Sequence, residues 1–256
     1  MRPSSKEHCI GYSCNIVQYE RVCIGMSDFI HDGILQRDGK SYAIVTRTPS
    51  GIVTPDYLET IASVARKYNI PLIKLTSGQR FTLVGIQESD IPAIWKDIGS
   101  EMRAPYGPCV RYVQACLGTE FCKFGTQDSI GFAKEIEQRY GGKEFPAKLK
   151  IGVSGCPRNC GESHVRDIGV MGSTVGWTVF FGGNSGTRPR IGNMIAKNLS
   201  KEAALDLVQR LLEHYQQNAK PRERTARFME RIGMDTLKSE LLVMLPYISL
   251  EDATPR

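Results

Sequence analysis

Two cysteine pairs constrain this chain more than any other feature of its sequence. The first closes Cys116-Leu-Gly-Thr-Glu-Phe-Cys122, with five residues between the thiols, and the second lies in Gly155-Cys156-Pro-Arg-Asn-Cys160-Gly161, with three. Four thiolates in two short loops are the donor set of an iron–sulfur cluster, in which each iron takes one soft sulfur ligand from the protein. Gly118, Gly155 and Gly161 allow the tight backbone paths such loops need, and Pro157 fixes one dihedral within the second. Three plainer readings compete. Structural zinc sites use gaps of two to four residues, which the five-residue gap fits poorly. A disulfide framework suits small secreted domains, and ordinary buried cysteines have no reason to gather into glycine-flanked pairs. The spacing favours the cluster.

The chain has 256 residues, enough to bury one large core or two small ones. Its hydrophobic fraction of 41% and charged fraction of 23% are ordinary for a globular protein. No apolar run is long enough to span a bilayer, and the polar start Met1-Arg-Pro-Ser-Ser-Lys-Glu7 lacks a secretory core. With eight cysteines, this points to a reducing compartment, and the expected location is the cytoplasm. The net charge of +6 suits an anionic cofactor, an anionic substrate, nucleic acid or plain solubility. The densest basic run, Lys220 to Arg227, is broken by Glu223 and carries no interleaved aromatics. It reads as a solvated helix face, not a nucleic-acid groove.

Taken in order, residues 1–33 read as an N-terminal extension. Cys9, Cys14 and Cys23 there, with Cys109 further on, form no short pair, so unremarkable thiols are favoured over a second metal or redox site. His8 and His31 stand alone and are left unassigned. From residue 34 to 103 the pattern is regular: strands at 42–46, 72–76 and 81–85, a helix capped by Thr54 with Pro55 at its first position, and a second helix after Asp90. The first helix places Leu58, Ile61, Ala62 and Ala65 on one face, and the second carries Ile94, Trp95 and Ile98. This order predicts a small α/β sandwich of split βαβ character. Residues 104–256 hold both cysteine pairs, a helix from Ser129 to Tyr140 and strands at 148–153, 167–171 and 177–181. An amphipathic helix capped by Ser200 and two shorter helical segments, 228–232 and 237–245, complete the chain.

Four cations draw notice, three of them within eight residues of a cysteine loop and Arg80 at the mouth of a strand in the first part. Lys148 and Lys150 are two apart on a strand that leads into the second loop, so they share a face. Arg80 closes the Ser77-Gly-Gln-Arg turn and Arg111 precedes Cys116 by five residues. They can line an anion pocket or be merely solvated, and spacing alone favours the latter.

The stretch from Cys116 to Cys122 followed by Val153-Ser-Gly-Cys-Pro-Arg-Asn-Cys160 resembles the siroheme and 4Fe-4S signature of the nitrite and sulfite reductase family. The likeness extends over Phe124-Gly-Thr-Gln-Asp-Ser129, Asp167-Ile-Gly169, Gly176-Trp177, Gly182-Gly-Asn-Ser-Gly-Thr-Arg-Pro-Arg190 and Lys74-Leu-Thr-Ser-Gly-Gln-Arg80. It covers about residues 34 to 235. By length the chain is most similar to the small, single-repeat assimilatory-type sulfite reductases, and around the cysteines also to NADH-dependent nitrite reductases.

That resemblance implies an α+β fold: a ferredoxin-like α/β sandwich half followed by a siroheme/4Fe-4S-binding α/β domain. It implies a cluster held by Cys116, Cys122, Cys156 and Cys160, with Cys160 also the axial ligand of siroheme. It gives Arg80, Arg111, Lys148 and Lys150 the distal side of the haem, holding the substrate anion and supplying protons, the lysines being the better donors. Arg188 and Arg190 are implied partners for the eight siroheme carboxylates. The reaction implied is six-electron reduction of sulfite to sulfide; the alternatives are nitrite to ammonia on the same centres, or a non-catalytic haem–cluster electron-transfer subunit. No dinucleotide fingerprint is present, so electrons are expected from a separate ferredoxin or flavoprotein. Larger family members carry two homologous halves and this chain carries one; either one repeat suffices or two chains complete the site as a dimer.

Overall fold

The computed structural model describes residues 29–30 and 32–244. Cys9, Cys14, Cys23, His8 and His31 lie outside the described residues. Two five-stranded sheets carry the fold, each with its own apolar core.

The first sheet contains Phe29–Ile30 (β1), Gly33–Leu35 (β2), Tyr42–Val45 (β3), Leu72–Leu75 (β4) and Phe81–Ile86 (β5), in the order β1-β2-β3-β5-β4. β5 pairs antiparallel with both β3 and β4, filling the gap that the crossover from β3 to β4 leaves. This is the split βαβ arrangement expected from the sequence. Pro55–Lys67 (α1) forms that crossover: Thr54 accepts a hydrogen bond from the Tyr57 amide at 3.2 Å, and Pro55 sits where its missing N–H costs nothing. Ile61, Val64 and Ala65 of α1 pack with Ile91, Ile94, Trp95 and Ile98 of α2 (Ile91–Ile98) over Ile44 and Leu83 of the sheet. Leu58, expected on the buried face, is exposed, and Val64 takes the inward position. Asp90 precedes α2 but makes no side-chain cap; its backbone is already helical because a 3₁₀ turn from Glu88 leads straight into the helix.

The second sheet has the order β10-β9-β8-β7-β6: Val110–Ala115 (β6), Leu149–Ser154 (β7), Ile168–Ser173 (β8), Gly176–Phe181 (β9) and Asn193–Leu199 (β10). β6, β7 and β8 run parallel, and β9 and β10 are antiparallel additions. The sequence reading missed β6 and β10. Gly118–Phe121 (α3) is a single turn between the first two cysteines. Ser129–Tyr140 (α4) is the crossover from β6 to β7, capped by the Asp128 carboxylate on the Gly131 amide at 2.8 Å. Lys201–Asn218 (α5), capped by Ser200, buries Leu205, Val208, Leu211, Leu212 and Tyr215 against β9 and β10. Thr225–Ile232 (α6) and Met234–Met244 (α7) close the described chain.

The basic run at 220–227 is not a solvated face throughout, because its Arg224 reaches into the protein. Its guanidinium donates two bonds to Asp167 Oδ1, at 3.1 and 2.8 Å, and one to Oδ2 at 2.7 Å. Asp167 is 1% exposed and also accepts from the Thr225 hydroxyl at 2.6 Å and the Lys150 amide at 2.9 Å. One carboxylate thus ties the start of α6 to the mouth of β7 and β8. Asp167→Ala leaves the partly buried Arg224 guanidinium and the buried Thr225 hydroxyl without their acceptor and should destabilise the fold by about 1–3 kcal/mol. A denaturation midpoint unchanged from the parent protein would refute that role.

The two sheets meet at a few specific bonds. Arg47 donates from Nη2 and Nε to Glu137 Oε1 at 2.9 and 3.3 Å, while Glu137 Oε2 accepts from the Val113 amide at 3.1 Å. The Gln79 side-chain amide both donates to Ala115 O at 3.1 Å and accepts from Ala115 N at 3.3 Å. Gln79 therefore anchors the turn that carries Arg80 one residue before Cys116.

Candidate active site and cluster-binding loops

Parallel pairing puts the C-terminal ends of β6 and β7 side by side, and each runs directly into one cysteine loop. Ligands in parallel α/β sheets gather at this end, where the strands stop and the loops are free to diverge. The loops are knitted together by backbone. Thr126 and Gln127 donate their amides to Gly155 O at 2.9 and 3.0 Å, and the Gly155 amide points at Cys116 Sγ, 3.1 Å away. Three glycines make the approach possible. A Cβ on Gly155 would stand 2.8 Å from Gln127 O and from the Gly118 Cα, and one on Gly125 would enter the Gly118 backbone. Gly118 itself has φ +62°, and a side chain there would also strike the Ser129 amide at 2.7 Å. Gly155→Ala, which keeps all four thiols, forces these backbones apart at about 1–3 kcal/mol. The variant should incorporate iron and sulfide poorly; wild-type metal content would show that the close approach is dispensable.

The cysteines are graded in exposure. Cys156 is 7% exposed, Cys116 and Cys122 are partly buried, and Cys160 is open to solvent. All are free thiols. Among the described residues no three Cys, His, Asp or Glu side chains converge on a single-ion site. Ligands of a cubane cluster bind different irons and need only face one another, so the test of fit is the loop architecture and the soft donor set. Both suit a cluster. The second loop is held shut beneath Cys160 by Ser154, whose hydroxyl lies 2.8 Å from that of Ser163 and accepts from the Gly161 amide at 3.0 Å.

The four cations are brought together towards the other end of these strands: Arg111, Lys148 and Lys150 lie at the N-terminal starts of β6 and β7, and Arg80 reaches across from the first sheet. Tyr112 of β6 is registered against Lys150 of β7, placing them as neighbours on one face. Burial pushes the Lys150 ammonium down to about 8, and Arg166, Lys148 and Arg224 push the same way. Lys148 is also depressed, by burial and then by Arg111 and Arg224. The Arg80 guanidinium is lowered by burial, with Arg111 adding to the effect. The sequence reading on spacing alone, that these lysines are solvated, does not hold: both are half-buried and crowded by like charge. Such crowding in low dielectric is unfavourable until an anion is present.

Sequence reasoning missed Arg166, which is 2% exposed and lies over the glycine-lined polar face of β7 and β8. A side chain on Gly152 would collide with it at 2.8 Å, and one on Gly169 would enter the Ser163 carbonyl behind it. Arg166 donates to Gln114 Oε1 at 2.9 Å and to Ser185 Oγ at 3.3 Å, and pairs with Glu162. The implied carboxylate partners fare differently. Arg190 donates to Gly182 O at 2.8 Å and Asn193 Oδ1 at 2.6 Å, framing its own loop, while Arg188 is exposed at the loop tip. A separate hollow of about 230 Å³, lined by Glu135, Arg139, Lys201 and Asp206, shares no residue with the cation group.

Two family models match in tandem: the nitrite/sulfite reductase ferredoxin-like half domain over residues 34–100, and the nitrite and sulphite reductase 4Fe-4S domain over residues 106–246. The chain belongs to the nitrite and sulphite reductase family. It is 46% identical over 217 residues to an assimilatory-type sulfite reductase of Nitratidesulfovibrio vulgaris, covering 85% of this chain and all of that protein. It is 40% identical over 207 residues to an NAD(P)H nitrite reductase of Bacillus subtilis, covering 81% of this chain but 26% of that protein. Among solved structures it matches a dissimilatory sulfite reductase I with a TM-score of 0.72 at 16% identity, covering 84% of this chain and 72% of that one. Mycobacterium tuberculosis NirA matches with a TM-score of 0.68 at 18% identity, covering 84% and 42%. These two likenesses bear on the fold, and they agree with the α+β class expected from the sequence. Family membership brings two centres, a 4Fe-4S cluster and siroheme. The knitted thiol loops suit the first. For the second, the crowded cations offer an excess of positive charge, with Arg80 Nε and the Tyr112 hydroxyl buried and, among the described residues, without a hydrogen-bond partner.

Proposed function

We propose that the chain is a siroheme-dependent sulfite reductase that takes electrons from an external donor such as a ferredoxin or a flavoprotein. The observation that carries this reading is the match along the entire length of an assimilatory-type sulfite reductase. The cationic recess supports it, since pure electron transfer needs no group of half-buried cations. In this reading Cys116, Cys122, Cys156 and Cys160 hold the cluster, Cys160 also serves siroheme, and Arg188 is available to a cofactor carboxylate. Arg190 is the weaker partner, because its guanidinium is already committed to its own loop. The units are taken as 34–103 and 104–256, and the location as the cytoplasm; among the described residues no helix is long and apolar enough to cross a membrane.

When bound, the two centres would relay to sulfite the six electrons that the external donor supplies for its conversion to sulfide. The protein must supply the rest. Sulfite arrives doubly charged and loses three oxygens as water, so its site needs fixed positive charge and a source of protons. Arg80 and Arg111 are the fixed charges, because a guanidinium does not give up its proton in this range. Lys148 and Lys150 are the donors, since burial lowers both ammoniums, that of Lys150 to about 8, and so eases release of a proton. Arg111 is braced for this by its Nε bond to Gly107 O at 3.2 Å and by the Tyr106 ring, 4.3 Å from its guanidinium.

A second reading is nitrite reduction to ammonia, which the 40% identity to a nitrite reductase favours. Both anions are small, and the same cations suit either. Anaerobically purified protein, reduced and titrated with each anion, distinguishes the two. A Soret band that shifts with sulfite at lower concentration, together with sulfide formation from an artificial reductant, is the expected result. Ammonia formation with faster turnover of nitrite would reverse the assignment, and haem bands without turnover of either anion would leave an electron-transfer subunit. Leu72, Ile73 and Leu75 are exposed along the edge strand β4, the place where a second copy would pair if the enzyme is a dimer.

A further inference from the structure

The Tyr112 side chain is 6% exposed, yet among the described residues its hydroxyl has no hydrogen-bond partner. Its ring is the centre of the cation group. The Arg80 guanidinium stands 5.0 Å from the ring centroid, the Lys150 ammonium 5.8 Å and the Arg166 guanidinium 5.8 Å. The turn bearing Arg80 lies directly on the ring: a Cβ on Gly78 would meet three of its carbons at 2.7–2.9 Å. The ring therefore has a structural task, sealing the turn from the first sheet against β6. Nothing in that task uses the hydroxyl.

A buried phenol left unpaired carries its full desolvation cost, and the acceptors around it are committed elsewhere. Gln114 Oε1 and Glu162 receive Arg166. Asp167 receives Arg224, Thr225 and the Lys150 amide, and Glu137 receives Arg47 and the Val113 amide. The recess is thus left with surplus donors, Arg80 Nε, Arg166 Nε and the Tyr112 hydroxyl, beside two ammonium groups. Donors without acceptors, inside excess positive charge, describe a site for oxyanion oxygens.

We propose that the Tyr112 hydroxyl donates a hydrogen bond to an anionic oxygen held in this recess, making it a ligand-contacting residue of the site. This rests on the proposed function and adds to it a neutral donor among the cations. The oxygen belongs either to the substrate oxyanion or to a siroheme carboxylate; the chemistry is shared, and one variant tells them apart. Burial, foremost, holds the phenol above its ordinary value, so it stays a donor throughout the working pH range.

Tyr112→Phe keeps the ring, its cation contacts and the seal against Gly78, and removes only the hydroxyl. The full chain should melt at the wild-type temperature when freed of cofactor. If the partner is substrate, the loaded variant should carry wild-type siroheme, bind sulfite about 10- to 100-fold more weakly in the Soret titration, and show the loss in KM more than in kcat. If the partner is a cofactor carboxylate, siroheme content should fall while sulfite affinity per bound haem is preserved. Unchanged haem content together with unchanged sulfite affinity overturns the proposal, as it would if a water were the sole partner of the hydroxyl. A lowered melting temperature with unchanged affinity also overturns it, by assigning the hydroxyl to the fold. Failure of wild-type protein to bind either anion would count against the proposed function, a result separate from any behaviour of the variant.

Discussion

Cys160→Ser protein should fold normally and purify without an intact pair of redox centres. The folding half of that expectation comes from exposure: Cys160 is the open thiol of the four, so an oxygen in place of sulfur disturbs no packing. Cys156→Ser is a poorer experiment, because Cys156 is 7% exposed and the change mixes a packing defect with a lost ligand. The chemical half follows from donor character. A serine hydroxyl must be deprotonated from a far higher pKa to bind iron, and the resulting oxygen is a hard donor where the cluster needs a soft one. Iron and acid-labile sulfide should fall well below the wild-type ratio, and any siroheme retained should lose its spectral coupling to the cluster. Because the loops are held by Thr126, Gln127 and Gly155 backbone bonds that do not involve Cys160, melting of the cofactor-free chain should not change. Retention of both a wild-type spectrum and wild-type turnover would remove Cys160 from the ligand set.

How far the sequence could be read depended on where the physical signal was local. The cysteine loops were legible because their glycines and thiols are neighbours in the chain, and the space a Cβ would need at Gly118 and Gly155 is taken by the facing loop. Helix α5 was legible because Ser200, the apolar stripe and the length all agree, and each residue expected on its inner face is buried. β6 was missed although Val110-Arg-Tyr-Val-Gln-Ala115 alternates: Val113 and Ala115 enter the core while Tyr112 and Gln114 lie outside the apolar cluster. With that strand unrecognised, Tyr112 had no reason to be placed against Lys150. Arg166 and Arg224 were illegible for a different reason. Their partners Gln114 and Asp167 are 52 and 57 residues away in sequence, and nothing local distinguishes a buried arginine from a solvated one. Leu58 shows the converse, an apolar residue at helical spacing left outside while the buried stripe runs through Ile61, Val64 and Ala65.

Lys150→Ala should lower turnover by about two to four orders of magnitude, the range that a positioned proton donor contributes, with Lys148→Ala at the lower end. The ranking comes from position. Lys150 is the more strongly depressed of the two, its amide is tied to Asp167, and its ammonium lies over the Tyr112 ring at the centre of the recess. Lys148 lies towards Arg111 and Arg224. Lys150→Arg separates charge from proton: it restores the positive charge but not a labile proton, so anion affinity should recover while turnover stays low. The pH profile gives an independent check. Lys150 is charged below its depressed value of about 8 and neutral above it, so turnover should fall as pH rises through that value. Carboxylates of a bound cofactor and the substrate anion both favour the ammonium, so the break in the loaded enzyme should lie at or above pH 8, and higher in kcat than in kcat/KM. The sign for stability is opposite to that for activity. With its folded value below the ordinary 10.5, the lysine makes the folded chain bind fewer protons than the unfolded one between those limits, so this group's contribution to stability improves as pH rises from 8 and is least favourable below it. A site that is most active where its own lysine is most destabilising is one whose charge is held for a ligand. Equal turnover in Lys150→Ala and wild-type protein, or a pH profile flat through this range, would return the lysine to a structural role.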